Sequence, residues 1–270
     1  MFRLSFYIVF SSVFLFSCGK YQKILKSNDY EFKLAQAKVY YEKEDFNKAM
    51  PLFNELSTIL RGTDKAEEVD YYYAYCNYSI GENLMAAYLF DRFFKTYTKS
   101  EYREESAYMI AFCYYLEAPI YSLDSKNTNK AIKQLQTFIN QYPSSDRVEE
   151  CNKLIDELRL KLSEKAFQNA KQYYTTEHYK SSIIALSNVL IDFPDTDKRE
   201  EIRFLILDSS YLLAINSISI KKQERLEEVL ELYEMFVDNY NDSIFLKEAQ
   251  DIKQKTDKLL IQLKELQNEI

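Results

Sequence analysis

Four cysteines, a single histidine and several pairs of neighbouring acids are the side chains in this 270-residue sequence that could act on a substrate. His178 falls in a turn before Tyr179, where imidazole is ordinarily solvated, and nucleophilic catalysis needs a nucleophile with a base held beside it. There is no HExxH, no CxxC and no glycine-rich phosphate loop. Glu67-Glu68, Glu104-Glu105 and Glu149-Glu150 stand at expected helix starts, where negative charge complements the helix dipole. The residues therefore argue against an enzyme and against a metal site.

Cys18 is different from the other three cysteines. Residues 1–17 carry Arg3 ahead of an apolar run from Phe6 to Phe16, which has the length of a secretory h-region and is too short to span a membrane. The run ends Leu15-Phe16-Ser17-Cys18, which resembles the bacterial lipobox. There the cysteine is diacylated on sulfur and becomes the new N-terminus, so the only cofactor-like group expected is a covalent lipid on Cys18. Gly19 follows, not the Asp that commonly retains lipoproteins in the inner membrane, so the expected address is the outer membrane, periplasmic face. Lys20, Lys23 and Lys26 lie beside the anchor, in residues 18–28 read as a lipidated linker. Cys76, Cys113 and Cys151 remain as an odd set, and the repeat described below puts Cys76 and Cys113 at equivalent sites too far apart to bridge. All three read as small buried apolar residues.

The elements that must carry these residues follow from composition. Only three glycines and four prolines occur, against about 19 and 13 for average usage. Hairpins and phosphate loops need more glycine than that, so the chain is expected to be all-α. Hydrophobic content of 47% suffices for a core, and the 24 tyrosines and 18 phenylalanines are unusually many. Lys and Arg total 35 against 42 Asp and Glu, spread along the chain for a net −7, with no basic cluster of the kind that displaces phosphate counterions. Nucleic acid is excluded as a partner.

An internal repeat organises the rest. Ala37…Tyr40-Tyr41, Asp45-Phe46, Ala49, Phe53 and Leu56 match Ala74…Tyr78, Gly81, Ala86, Phe90 and Phe93. Ala111…Tyr115 resumes at Ala131, Leu135, Phe138 and Pro143. Ala170…Tyr174 continues to Tyr179, Ser182, Leu186, Val189 and Pro194, and a degenerate fifth copy joins Phe204–Ser217 to Leu226–Tyr240. This is the pattern of the tetratricopeptide repeat, a helix pair of about 34 residues. Small residues let paired helices approach, aromatics fill the space, and neighbouring pairs stack because one pair cannot bury its face alone. The expected fold is a right-handed superhelix of about five helix pairs with a long C-terminal helix. Asp64…Glu67, Asp146…Glu149 and Asp197…Glu200 read as capping boxes, and Pro51 as a first-turn proline. The pattern places repeats 1–3 in 29–145, repeats 4–5 in 146–243 and a capping helix in 244–270. That last helix carries a heptad seam through Phe245, Ala249, Ile252, Thr256, Leu259, Leu263, Leu266 and Ile270.

The third copy has an insertion, Glu117-Ala-Pro-Ile-Tyr-Ser-Leu-Asp124, leading to Thr128…Ala131…Phe138 and Tyr142-Pro143-Ser144-Ser145. With the lipobox and the repeat number, the sequence resembles the BamD family, the tetratricopeptide-repeat lipoproteins of the β-barrel assembly machinery; it departs from that pattern at Tyr240-Asn241-Asp242-Ser243, where Tyr-Pro-x-Ser is expected. The resemblance implies a scaffold whose N-terminal repeats receive unfolded outer-membrane protein clients. Its C-terminal repeats would dock on the POTRA region of a BamA-like barrel protein, and the lipid would hold it to the membrane. The outward positions of the first helices are occupied by Leu34, Tyr41, Tyr71, Tyr75, Tyr78, Tyr108, Phe112 and Tyr115. All but Leu34 are aromatic, a surface on which an extended apolar peptide could stack. Lys38 is the only cation among these positions and a candidate for a client's terminal carboxylate. The rival readings are another periplasmic repeat adaptor, in cell division or envelope integrity, and a nutrient-binding surface lipoprotein, whose Gly- and Trp-rich loops are missing.

Overall fold

The computed structural model describes residues 19–268, apart from the side chains of 266–268. Cys18 and Ile270 lie outside this range, and the Leu266 side chain is among those set aside. Eleven helices follow a short helical segment at residues 19–25, and no strand occurs among the described residues. They are α1 (Tyr30–Glu42), α2 (Phe46–Ile59), α3 (Ala66–Ser79), α4 (Asn83–Thr96), α5 (Arg103–Leu116), α6 (Lys126–Gln141), α7 (Val148–Thr175), α8 (Tyr179–Asp192), α9 (Arg199–Ile215), α10 (Ser219–Asn239) and α11 (Leu246–Asn268). Two compact units form. One runs through Pro119 and takes in Leu123–Leu158; the other comprises Ile120–Ser122 and the chain from Arg159 onward. Within the first, each helix from α1 to α5 packs on its successor, and within the second α8, α9 and α10 do the same, with α11 also on α9.

The helix pairs form for the reason the repeat implied. Ala37, Ala74, Ala111 and Ala170 on the first helices are buried, as are Ala49, Ala86, Ala131 and Ser182 on the second. Four residues beyond that second-helix position, Phe53, Phe90, Leu135 and Leu186 are all fully buried, filling the space the small residues leave. Three pairs close through the same turn. Glu44, Gly81 and Glu177 take positive φ (57°, 84° and 61°), which ends the first helix and points the chain back. In each, the following amide bonds a carbonyl five residues earlier: Asp45 N to Tyr40 O, Glu82 N to Asn77 O, and His178 N to Tyr173 O.

Between pairs, one device recurs five times. Thr63, Ser100, Ser145, Thr196 and Ser243 each bond their amide to the carbonyl three residues back. Each hydroxyl then accepts from the amide two residues on, at 3.0–3.3 Å. This replaces the expected capping boxes. Capping residues Lys65 and Lys198 have near-helical backbones and no side-chain cap bond, so the turn flows into the helix and Asp64 and Asp197 are not placed to cap it. At α7 the accepting hydroxyl is likewise that of Ser145, beside Asp146. The turn at Tyr240 closes like the others with Asn241 in place of proline, because it needs only an ordinary turn backbone there.

Other expectations also shift. Helix α2 starts at Phe46, so Pro51 lies inside the helix, in its second turn, where its missing N–H does remove an intrahelical bond. Residues 19–25 are helix rather than solvated linker: Ile24 is buried in the first-pair core, and the Tyr21 hydroxyl donates to the Lys48 carbonyl at 2.9 Å. Buried Lys33 holds this segment, donating to Leu25 O at 3.0 Å and pairing with Glu55 at 2.6 Å. Helix α7 runs 28 residues, twice the length of most others, since no glycine or proline falls between Pro143 and Pro194. Its start buries Cys151, Leu154, Ile155 and Leu158 in the first unit, ahead of the Ala170 repeat position. Helix α11 buries Ala249, Ile252 and Thr256 of the seam and then Leu260 in place of the expected Leu259, which is half-buried, and Phe245 stacks on Phe204 at 4.7 Å, so the first part of the seam caps the fifth pair.

Candidate functional site

The first helices α3 and α5 present a connected row of rings. Tyr71 meets Tyr75 at 4.9 Å, Tyr75 meets Tyr78 at 6.3 Å, and Tyr78 meets Phe112 at 6.2 Å between centroids. Phe112 lies 5.9 Å from Tyr115, at an interplanar angle of 18°. These five are half-buried, packed on the core below by one side. Tyr102, which the sequence reading missed, extends the row by stacking on Tyr71 at 4.2 Å. Period explains the row: on a helix, residues three and four apart share a face, so 71, 75 and 78 align, as do 108, 112 and 115.

Three of the expected residues belong elsewhere. Leu34 is only 5% exposed, in the core that also holds Ile24. Tyr108 stacks under Phe112 of the row at 5.5 Å but is only 3% exposed, clamped by the Arg147 guanidinium 4.0 Å above its ring and by Phe138 at 5.8 Å. Both are core residues. Tyr41 is half-buried and turned toward its own pair, against Phe46 at 5.4 Å and Phe53 at 6.4 Å, and meets Tyr72 of the next pair at 4.6 Å.

Acids complete the row. The Tyr75 hydroxyl donates to Glu105, that of Tyr108 to Glu150 at 2.9 Å, and that of Tyr115 to Glu157 at 2.5 Å. Glu105 is also bound by Arg147, and Lys38 pairs with Glu68 at 2.5 Å. Burial, and then the adjacent carboxylate, push the Tyr75 and Tyr108 hydroxyls well above their ordinary value, while burial takes Tyr71 up to about 12. For Tyr115 the bond to Glu157 is the leading cause of its rise. These phenols stay protonated donors, and each charge-assisted bond fixes a ring edge. The second member of each acid pair thus does more than complement a dipole. Its signal lay in the spacing: 38 to 68, 75 to 105 and 171 to 201 each link equivalent positions of successive first helices, the last as a Lys171–Glu201 pair at 2.6 Å.

The remaining chemistry is quiet. His178 is exposed at the start of α8, its Nδ1 2.7 Å from the Thr176 carbonyl, a turn contact. Cys76, Cys113 and Cys151 are unbridged and buried, and burial pushes their thiols up, to about 12 for the first two and about 11 for the third. Among the described residues no cluster of His, Cys, Asp and Glu has the makings of a metal site, and no helix is long and apolar enough to cross a membrane.

The helix-pair repeat scaffold, with its ring-lined face, is of the tetratricopeptide kind. The YfiO family, described as outer membrane lipoprotein, matches residues 28–226, and the chain belongs to that family. No curated protein matches it. Among solved structures it is similar to the TPR2AB domain of yeast Sti1 in its pHSP90 complex, at 14% identity over 84% of this chain and 98% of that one, TM-score 0.39. A chain from Podosopora anserina with nearly identical TPR-like repeats gives 13% identity, 77% and 94% coverage and a TM-score of 0.33.

Proposed function

We propose that this outer membrane lipoprotein is the client-receiving, partner-docking subunit of the β-barrel assembly machinery, anchored through a diacylated Cys18 and facing the periplasm. Its N-terminal repeats receive unfolded outer-membrane proteins, and its C-terminal repeats dock on the POTRA region of a BamA-like barrel protein. The observation that carries the reading is the ring row Tyr71–Tyr75–Tyr78–Phe112–Tyr115. Ring faces offer stacking to apolar side chains of an extended segment. The hydroxyls of Tyr75 and Tyr115 are committed to Glu105 and Glu157, so a client's backbone N–H groups would meet the carboxylates' remaining lone pairs instead. A client's terminal carboxylate at Lys38 would share the ammonium with Glu68, which uses one of its three donors. No group here needs to change covalently; the work is holding an unfolded chain at the membrane.

Replacing Tyr75 and Tyr78 together with Ala should weaken binding of an unfolded client peptide much more than it lowers the melting temperature, and equal losses would make the row core alone. Affinity purification of the tagged lipoprotein from detergent-solubilised membranes should recover a POTRA-containing barrel protein at comparable abundance. Recovery of division or peptidoglycan proteins instead would favour the envelope-adaptor alternative. Cys18→Ala should release the folded protein from membranes; retention after an alkaline wash would refute the anchor.

A further inference from the structure

In the second unit, α9 and α10 enclose a cavity of about 120 Å³. Ile206 and Phe236, both buried, and half-buried Leu232 form its apolar side, and Arg199 and Arg203 from α9 stand with Asn239 from α10 on its polar side. At about 120 Å³ the cavity is smaller than the ~150 Å³ one that accommodates benzene, so it takes the end of one large apolar side chain. Its two cations are without carboxylates. Arg199 donates to the Pro194 carbonyl, and Arg203 has no hydrogen bond or ion pair within the described residues. The neighbouring acids of α9 are engaged elsewhere, Glu200 by the Ser243 hydroxyl and Glu201 by Lys171. Two arginines without carboxylates beside an apolar cavity form a local positive patch in a chain of net charge −7.

We propose that this cavity is a docking site for an extended acidic segment of a partner protein, whose carboxylates pair with Arg199 and Arg203 and whose next large apolar side chain fills the space beside Phe236. Charge complementarity selects an acid, and an arginine next to an apolar pocket is the composition of an interface hot spot. The spacing selects an extended segment. Arg199 and Arg203 are four residues apart on a helix, a rise of about 6 Å. Alternate side chains of a strand repeat every ~6.6 Å on one face, so the pattern acid-x-acid-x-apolar follows the line from Arg199 to the cavity. A lone terminal carboxylate would satisfy only one of the two guanidiniums. The inference rests on the docking half of the proposed function only for the identity of the partner.

The test uses the full-length protein in detergent and a fluorescein-labelled probe, Ac-SETETFS-NH2. Saturable binding is expected by anisotropy, with Ac-SQTQTFS-NH2 and Ac-SETETAS-NH2 each about tenfold or more weaker. Arg203→Glu should abolish binding and Arg203→Lys retain part of it, both with an unchanged melting temperature. Arg203→Gln serves as the neutral variant if charge reversal disturbs folding. Absent binding, or binding that ignores probe charge or Arg203, overturns the proposal. Co-purification then separates the two readings. Loss of the barrel partner from Arg203→Glu supports the cavity as its seat, and equal recovery by wild type and variant overturns that while leaving the assembly role standing. If wild type recovers no POTRA protein while the probe still binds, the assembly role fails and the docking site remains.

Discussion

The two units build the same helix pair from different side chains. In the first, four of the six filling positions are phenylalanine (Phe53, Phe90, Phe93 and Phe138, beside Leu56 and Leu135), and rings on the first helices continue outward from them, so that Tyr75 touches Phe90 at 5.1 Å and Tyr71 touches Phe93 at 5.6 Å. In the second, Leu186 and Val189 stand at two of these places, and the small position is Ser182, whose hydroxyl shares a 3.0 Å hydrogen bond with buried Ser209. A second buried hydroxyl pair, Ser163 with Thr196, lies at 3.0 Å. The repeat thus constrains volume and spacing, not chemistry. An aromatic core leaves ring faces at the surface that can stack on a visitor. The fourth pair has aliphatics and paired hydroxyls at these places instead, the second unit's buried rings being Phe167, Tyr233 and Phe236, and an open feature of that unit is the arginine-flanked cavity.

The sharpest way to break this contrast is to delete the filling side chain in each unit. Phe90→Ala should cost about 3–5 kcal/mol, at or above the loss from Leu186→Ala, about 2–5 kcal/mol. Denaturant melts that rank leucine above phenylalanine would mean the ring network adds nothing. A smaller effect isolates the hydroxyl pair of the second unit. Ser182→Ala or Ser209→Ala alone should destabilise by about 1–3 kcal/mol, because the remaining buried hydroxyl is stranded, while the double variant should come close to wild type. Additive losses would show that the hydroxyls do not act as a pair.

The last effect is absent at neutral pH. Tyr71, Tyr75 and Tyr108 have hydroxyl pKa values raised above 10 in the fold, with Tyr71 at about 12. Between pH 10 and 12 the unfolded chain releases these protons while the folded chain keeps them, so stability falls as pH rises. The thiols act in the same direction from about pH 9, since Cys76 and Cys113 rise to about 12. Tyr174 of the second unit is raised too, by burial and its bond to Asp208, so the expectation is graded: near-ultraviolet melts at pH 10–12 should weaken the first unit first. Tyr75→Phe should reduce that slope, and an unchanged slope would remove Tyr75 from the titration.

Much of the candidate site was readable before any coordinates. Tyr71, Tyr75, Tyr78, Phe112 and Tyr115 fall on one face through helical periodicity alone, and all five lie in the row. Leu34 is closed off by the helical segment ahead of the first repeat, whose Ile24 shares its core, and Tyr108 by Arg147, in the turn just before α7, whose guanidinium lies over its ring. The expected capping boxes failed for a local reason: a hydroxyl one residue earlier had already taken the turn. Glu105, Glu150 and Glu157 looked like dipole charges, since a sequence gives no sign of which acid of a pair faces a neighbour.

What the sequence determined by itself was the helical class, the repeat spacing, the buried small and large positions and the burial of the three thiols. These follow from periodicity and volume, which are properties of one helix and its immediate partner. Only the tertiary structure decided which outward rings stay open, which tyrosines are bound by acids from the next first helix, where α7 changes from one unit to the other, and that Arg199 and Arg203 flank a cavity. Each of those depends on side chains 30 or more residues apart, brought together by stacking, and local pattern does not encode that distance.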